Sequence, residues 1–67
     1  MIKIYTLPTC PICEMVKKKL VIKNITYTEL PFEQLPDFIH TDRAPVVEIG
    51  MRYLLTPTEI NDWIKEV

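Results

Sequence analysis

Ile2-Lys3-Ile4-Tyr5-Thr6-Leu7-Pro8-Thr9-Cys10-Pro11-Ile12-Cys13-Glu14-Met15-Val16 is the stretch that decides the fold. Ile2 to Tyr5 are β-branched or aromatic apart from Lys3, and Pro8 ends the run, so a short, largely buried strand is expected there. From Pro11 the period changes. On a helical wheel Ile12, Cys13, Met15, Val16, Leu20 and Ile22 share one broad arc, with Glu14, Lys17 and Lys18 opposite, which predicts an amphipathic helix. Lys19 intrudes on the apolar arc and Val21 on the polar one; a Lys stem can cover apolar surface while its charge reaches water. Pro11 suits the first helical turn, where no ladder N–H is needed, and Asn24 suits the left-handed residue just past the end. Two cysteines therefore stand at a junction between a strand and a helix.

Working outward, Ile25 to Leu30 alternates around Thr26, Tyr27 and Thr28 and reads as a second strand. Joined to the first through a helix, it is expected to run parallel to it. Pro31 and Pro36 bracket a segment that allows only a short helix using Leu35, Phe38 and Ile39. Val46 to Ile49 and Arg52 to Leu54 flank Gly50-Met51, and Gly at the first place of a two-residue turn predicts a type II′ hairpin. Thr56-Pro57-Thr58-Glu59 combines a capping box with Pro at the first helical position. Ile60, Trp63, Ile64 and Val67 follow at helical spacing and predict one buried stripe on a final helix. The order β-α-β-α-β-β-α gives an α/β fold, a four-stranded mixed sheet with helices on both faces.

Sixty-seven residues leave room for one domain spanning 1–67. A chain of this size buries only about 60% of its unfolded surface. Nearly every apolar residue is then needed for the core, and the 48% hydrophobic content meets that need. Eight Lys and Arg against nine Asp and Glu give a net charge of -1, without a long run of either sign. Nucleic acid is not expected as a partner, because the phosphate backbone calls for concentrated positive charge. No apolar run approaches the ~20 residues of a membrane span, and the opening residues alternate like a strand instead of a signal peptide. A monomer in the cytoplasm is the expectation.

Cys10 and Cys13 invite three readings. As a structural staple the pair ties nothing distant together: the loop-entropy model gives roughly 2 kcal/mol for so short a loop, against about 3 for fifteen residues. Half of a zinc site would have to draw on His40 and distant carboxylates. The third reading is redox chemistry. At a helix N-terminus free N–H groups and the helix dipole favour a thiolate at Cys10, and comparable sites lower a Cys pKa from about 8.5 to between about 3.5 and 7.5. Cys13, one turn in and on the apolar arc, would stay protonated until it resolves a disulfide formed at Cys10. A metal or iron-sulfur carrier pairing cysteines across a dimer, and a noncatalytic binding module, remain the rival classes.

A second feature is Arg43-Ala44-Pro45-Val46-Val47, a Pro directly before a strand. Together, Ile4-Tyr5-Thr6, Thr9-Cys10-Pro11 and Cys13 resemble the start of a glutaredoxin, and Ala44-Pro45-Val46 falls where that family has its cis-proline loop. The order of elements is similar over nearly the whole chain. The resemblance implies a thioredoxin-like fold, a cis Pro45, and dithiol exchange with a disulfide-containing protein or small-molecule disulfide through catalytic Cys10 and Cys13. It also implies that Thr9, Pro11, Ile12, Ala44 and Pro45 line the substrate, with no metal or organic cofactor needed by the cycle.

Departures from the family pattern bear on the electron donor. Leu7 stands where glutathione-using members carry Lys or Arg, and Leu55-Thr56 where they carry Gly-Gly, followed by Pro57, Thr58 and Glu59. These changes weigh against glutathione and toward a thioredoxin-reductase-like flavoenzyme as donor. In size and in Pro8 the chain is similar to glutaredoxin-like hydrogen donors of ribonucleotide reductase. Lys17 and Arg43 are the cations that could replace the missing one, although ordinary surface roles suit both; Trp63 and Tyr27 read as packing residues.

Overall fold

Most elements begin where a residue of special backbone chemistry stands. The computed structural model describes residues 1–67. Strand β1 (Ile2–Thr6) leads through a Pro8 turn into helix α1 (Pro11–Ile22), and strand β2 (Thr28–Pro31) runs into a single 3₁₀ turn (Phe32–Gln34). Strands β3 (Val46–Ile49) and β4 (Arg52–Leu54) precede helix α2 (Pro57–Glu66). Both helices carry Pro in the first turn. Asn24 closes α1 with φ of 59°, and Gly50 opens the β3–β4 turn at 61°, a left-handed region that glycine enters without steric cost.

The sheet order is β2-β1-β3-β4. β1 pairs parallel with β2 and antiparallel with β3, and β3 pairs antiparallel with β4. Register sets Ile4 opposite Val47 and Val47 opposite Leu54. These three fully buried side chains form a stripe on one face, joined in a single cluster by Val16 and Leu20 of α1 and Ile60, Trp63 and Ile64 of α2. Ile2, Ile25, Tyr27 and Ile49 pack around its edge. The opposite face carries Lys3, Tyr5, Glu48 and Tyr53. There the Tyr5 hydroxyl donates to Glu48 at 2.8 Å. Burial, then that carboxylate, pushes the Tyr5 pKa up to about 12, holding the phenol neutral and donating.

Three expectations need correcting. The segment after β2 yields only the 3₁₀ turn Phe32–Gln34; Leu35 is already extended, with ψ of 140°, and Phe38 and Ile39 lie outside any helix. Pro36 forces this, since the residue before a proline is driven out of the helical region. Consequently both long helices share one face of the sheet. The other face receives Phe38 from the connecting segment, whose ring meets Tyr53 edge-on at 5.8 Å. Next, β2 starts at Thr28 instead of Ile25, because Ile25 and Tyr27 pack against the core before the ladder with β1 begins. Finally, the buried arc of α1 is narrower than its apolar arc. Cys13, Val16 and Leu20 are buried, while Ile12, Met15 and Ile22 are exposed, as is Val67 after α2. No helix is long and apolar enough to cross a membrane.

The core stripe makes a direct prediction. Leu20→Ala, at a fully buried position, is expected to cost about 2–5 kcal/mol in urea unfolding. Ile22→Ala, exposed on the same helix, is expected to stay within about 0.5 kcal/mol.

Candidate active site

Cys10 is the N-cap of α1. Its backbone is extended, with φ of -128° and ψ of 101°, and its sulfur accepts the Cys13 N–H at 3.2 Å. Pro8 and Pro11 confine the chain on either side of that residue, so the cap position is fixed by local sequence. Cys13 lies inside the first turn and is 1% exposed, whereas Cys10 is half-buried. The two sulfurs form a disulfide, with their Cα atoms 5.2 Å apart.

The antiparallel pairing of Tyr5 with Val46 carries the residues just before β3 to the end of β1 where Cys10 follows. The Ala44 carbonyl oxygen lies 4.0 Å from Cys10 Sγ, the Ala44–Pro45 bond is cis, and Pro45 is fully buried beneath. Thr9, Pro11 and Ile12 are exposed at the front of the same junction. The structure thus gathers Thr9, Cys10, Pro11, Ile12, Cys13, Ala44 and Pro45 into one locale. His40 and Arg43 are exposed on the segment before it; the Arg43 backbone N–H donates to the Thr41 hydroxyl at 3.2 Å.

A glutaredoxin model matches residues 2–54, which include the cysteines, the cis-Pro loop and all four strands. The chain belongs to the glutaredoxin family. No curated protein and no solved structure matches. Its fold is the thioredoxin-like one of that family, and Cys10–Cys13 is a thiol-disulfide redox site.

Around this glutaredoxin's site Lys17, one of the two cations that could replace the missing one, is engaged by carboxylates. Lys17 forms an ion pair with Glu14 and a second with Glu29 at 3.1 Å. Glu29 also accepts from the Thr6 hydroxyl at 2.8 Å. This network was not foreseen from sequence, because it depends on register: Ile4 opposes Glu29, which brings that carboxylate to the helix-bearing face beside α1. Hydrogen bonds from Thr6 and then Lys17 hold the Glu29 carboxyl below its usual range, and the two carboxylates, Glu14 first, raise the Lys17 pKa. An open groove of about 680 Å³ runs here between Leu7, Pro8 and Phe32, with Glu14, Glu29 and Glu33 on its walls.

At the start of α2 the Thr56 hydroxyl accepts the Glu59 N–H at 3.2 Å. The Glu59 carboxylate accepts from Thr56 Oγ1 at 3.2 Å and from the Leu55 N–H at 3.4 Å. At the positions of the family's Gly-Gly pair, the Leu55 N–H and the Thr56 hydroxyl are therefore bonded within the chain.

Because the Glu29 carboxyl is held low, the stability it adds is present above the unfolded carboxylate pKa and is lost as pH falls through the folded value. Glu29→Gln is expected to narrow the difference between urea midpoints measured at neutral pH and at about pH 3. A difference as wide as in the unmodified chain would show that the network adds nothing to acid sensitivity.

Proposed function

We propose that this chain is a thiol-disulfide oxidoreductase that reduces disulfides in partner proteins, the disulfide of ribonucleotide reductase among them, in a reducing compartment such as the cytoplasm. The observation that carries the reading is the division between the two sulfurs: Cys10 caps α1 and accepts the Cys13 N–H, while Cys13 is buried one turn behind. In the reduced chain the cap N–H and the helix dipole favour the Cys10 thiolate. That thiolate attacks one sulfur of the substrate disulfide, forming a mixed disulfide and expelling the other sulfur as a thiolate that takes up a proton. Cys13 then loses its proton and attacks Cys10 Sγ, closing the Cys10–Cys13 bond and releasing the second substrate thiol. Two electrons pass from the dithiol to the substrate. The Ala44–Pro45 segment, beside Cys10, is where the substrate backbone would be aligned.

An external dithiol or reductase restores the cysteines. A thioredoxin-reductase-like flavoenzyme is the donor favoured by three features. Leu7 brings no cation, Lys17 is neutralised by two carboxylates, and the Leu55 N–H and Thr56 hydroxyl are internally bonded. Glutathione, with two carboxylates, needs a fixed cation and free backbone N–H groups.

Cys10→Ser is expected to abolish reduction of insulin disulfides, and Cys13→Ser to accumulate a mixed disulfide detectable by mass spectrometry. Adducts on Cys13 in the Cys10→Ser chain, with none in the reverse variant, would invert the roles. For the donor, the oxidised chain is expected to be reduced faster by NADPH with such a flavoenzyme than by glutathione, followed by loss of NADPH absorbance or by thiol titration. Fast, saturable reduction by glutathione alone would refute the donor assignment and leave the cysteine roles standing.

A further inference from the structure

Helix α1 keeps Ile12, Met15 and Ile22 exposed, at 43%, 55% and 79% of their surface. On a wheel of 3.6 residues per turn the three fall within about 80° of one another, with Lys19 between Met15 and Ile12 and Lys18 just beyond Ile22. Of the large apolar side chains left exposed, these three share one stripe of α1, and contiguous apolar surface of that kind marks an interaction site more than a scattered exposed residue does. The stripe faces a groove between the two helices. At its upper end a hollow of about 140 Å³ is lined by Ile12, Met15, Lys19, Pro57 and Asn61. It continues along Lys19 and Asn61 into a hollow of about 550 Å³ bounded by Ile22, Lys23, Ile64 and Lys65.

Charge is sorted across this groove. Its walls hold Lys19, Lys23 and Lys65 and no carboxylate. Lys19 donates to the Asn61 side chain at 2.8 Å and Lys23 to a main-chain oxygen of Val67 at 3.2 Å, which leaves Lys19 and Lys65 without an acidic partner. On α2, Asp62 and Glu66 lie about 80° and 120° around the helix from the middle of Asn61 and Lys65, outside the walls of the groove. The groove on the other flank of the cysteines has the opposite sign, with Glu14, Glu29 and Glu33 against one doubly paired lysine.

We infer that the α1–α2 groove is a docking surface for an acidic, apolar segment of the protein that exchanges electrons with Cys10 and Cys13. Ile12 belongs both to the groove and to the span between the cysteines, so a segment seated there is contiguous with the reacting sulfurs. From Ile12 to Ile22 the helix rises about 15 Å, which fits four or five extended residues with alternate side chains facing down. The small hollow between the helix starts takes an apolar anchor, and carboxylates beside it meet the lysines. A symmetric second copy is disfavoured, since it would set Lys19, Lys23 and Lys65 against their own equivalents. This inference rests on the redox reading for the identity of the partner, but its binding test does not.

The test titrates the full chain into a fluorescein-labelled peptide of alternating Leu and Glu, followed by anisotropy, with a Leu and Lys peptide as control. The acidic peptide is expected to bind about tenfold tighter than the basic one at low salt, with the gap closing as salt is added. Lys23→Glu with Lys65→Glu is expected to remove the preference; Met15→Ser with Ile22→Ser is expected to weaken binding at unchanged charge. Neither pair is expected to alter reduction of 2-hydroxyethyl disulfide, whereas both slow reduction of the acidic peptide when it carries a disulfide. Equal binding of the two peptides, or binding untouched by both variant pairs, would overturn the inference. So would self-association through this face, or capture of phosphatidylserine vesicles that the acidic peptide does not displace. Failure of the unmodified chain to reduce 2-hydroxyethyl disulfide, with peptide binding as expected, would instead refute the redox reading alone.

Discussion

Ile4, Val47 and Leu54 stand side by side across three strands, and both helices are fastened to that stripe. Burial of apolar area is the main favourable term open to so short a chain, and here it is concentrated in one cluster of eight residues. The active site follows from it. With Ile4 held against Val47, Tyr5 must oppose Val46, and the two residues before Val46 arrive at the end of β1. Cys10 is four residues beyond that end, at the start of a helix whose Val16 and Leu20 are pulled onto the same stripe. The cis-Pro loop and the cysteines, distant in sequence, meet because one core tethers both.

That dependence explains how much of the molecule could be read in advance. The hairpin around Gly50, the start of α2 at Thr56-Pro57 and the closure of α1 at Asn24 are legible because each rests on the backbone preference of one or two residues. The stripe of Ile60, Trp63 and Ile64 is legible because helical period leaves it a single face. What sequence obscures are properties that depend on a partner element. Ile12, Met15 and Ile22 belong to the same apolar arc as Val16 and Leu20, and only the position of α2 decides which of them are covered. The segment around Leu35, Phe38 and Ile39 has the apolar residues of a helix but not the backbone freedom, and Pro36 prevails. The placement of the cysteines, Cys10 at the cap and Cys13 buried one turn on, was readable locally; the engagement of Lys17 with Glu29 was not, since it required the β1–β2 register.

Electrostatically, a net charge of -1 conceals a division. One flank of the cysteines carries carboxylates that absorb the only nearby lysine, and the other carries lysines with no acidic side chain among them. Such local fields act over about 8 Å at physiological ionic strength, shorter than the molecule is wide, so the two flanks act as separate surfaces. The near-neutral total therefore carries no information about what either flank attracts. It is also consistent with a chain in which recognition of a partner is kept apart from capture of a small anion.

The spacing of the cysteines ties this surface chemistry back to the fold. Cys13, Val16 and Leu20 recur at helical intervals on the buried side of α1, so the second sulfur is inside because the helix packs that way. Cys10, three residues earlier, would share that side if the helix continued, but Pro11 starts the helix after it and the backbone turns extended at the cap. Its sulfur is thereby taken out of the buried row and aimed at the Cys13 N–H. One residue more between the cysteines would rotate the second sulfur by about 100°, off the buried stripe and toward solvent. One residue fewer would rotate it toward the exposed side of Ile12 and remove the 3.2 Å hydrogen bond as the cap is built here. Two intervening residues, one of them Pro, let a single helical turn supply both an accessible sulfur with a hydrogen-bond donor and a shielded sulfur within reach of it.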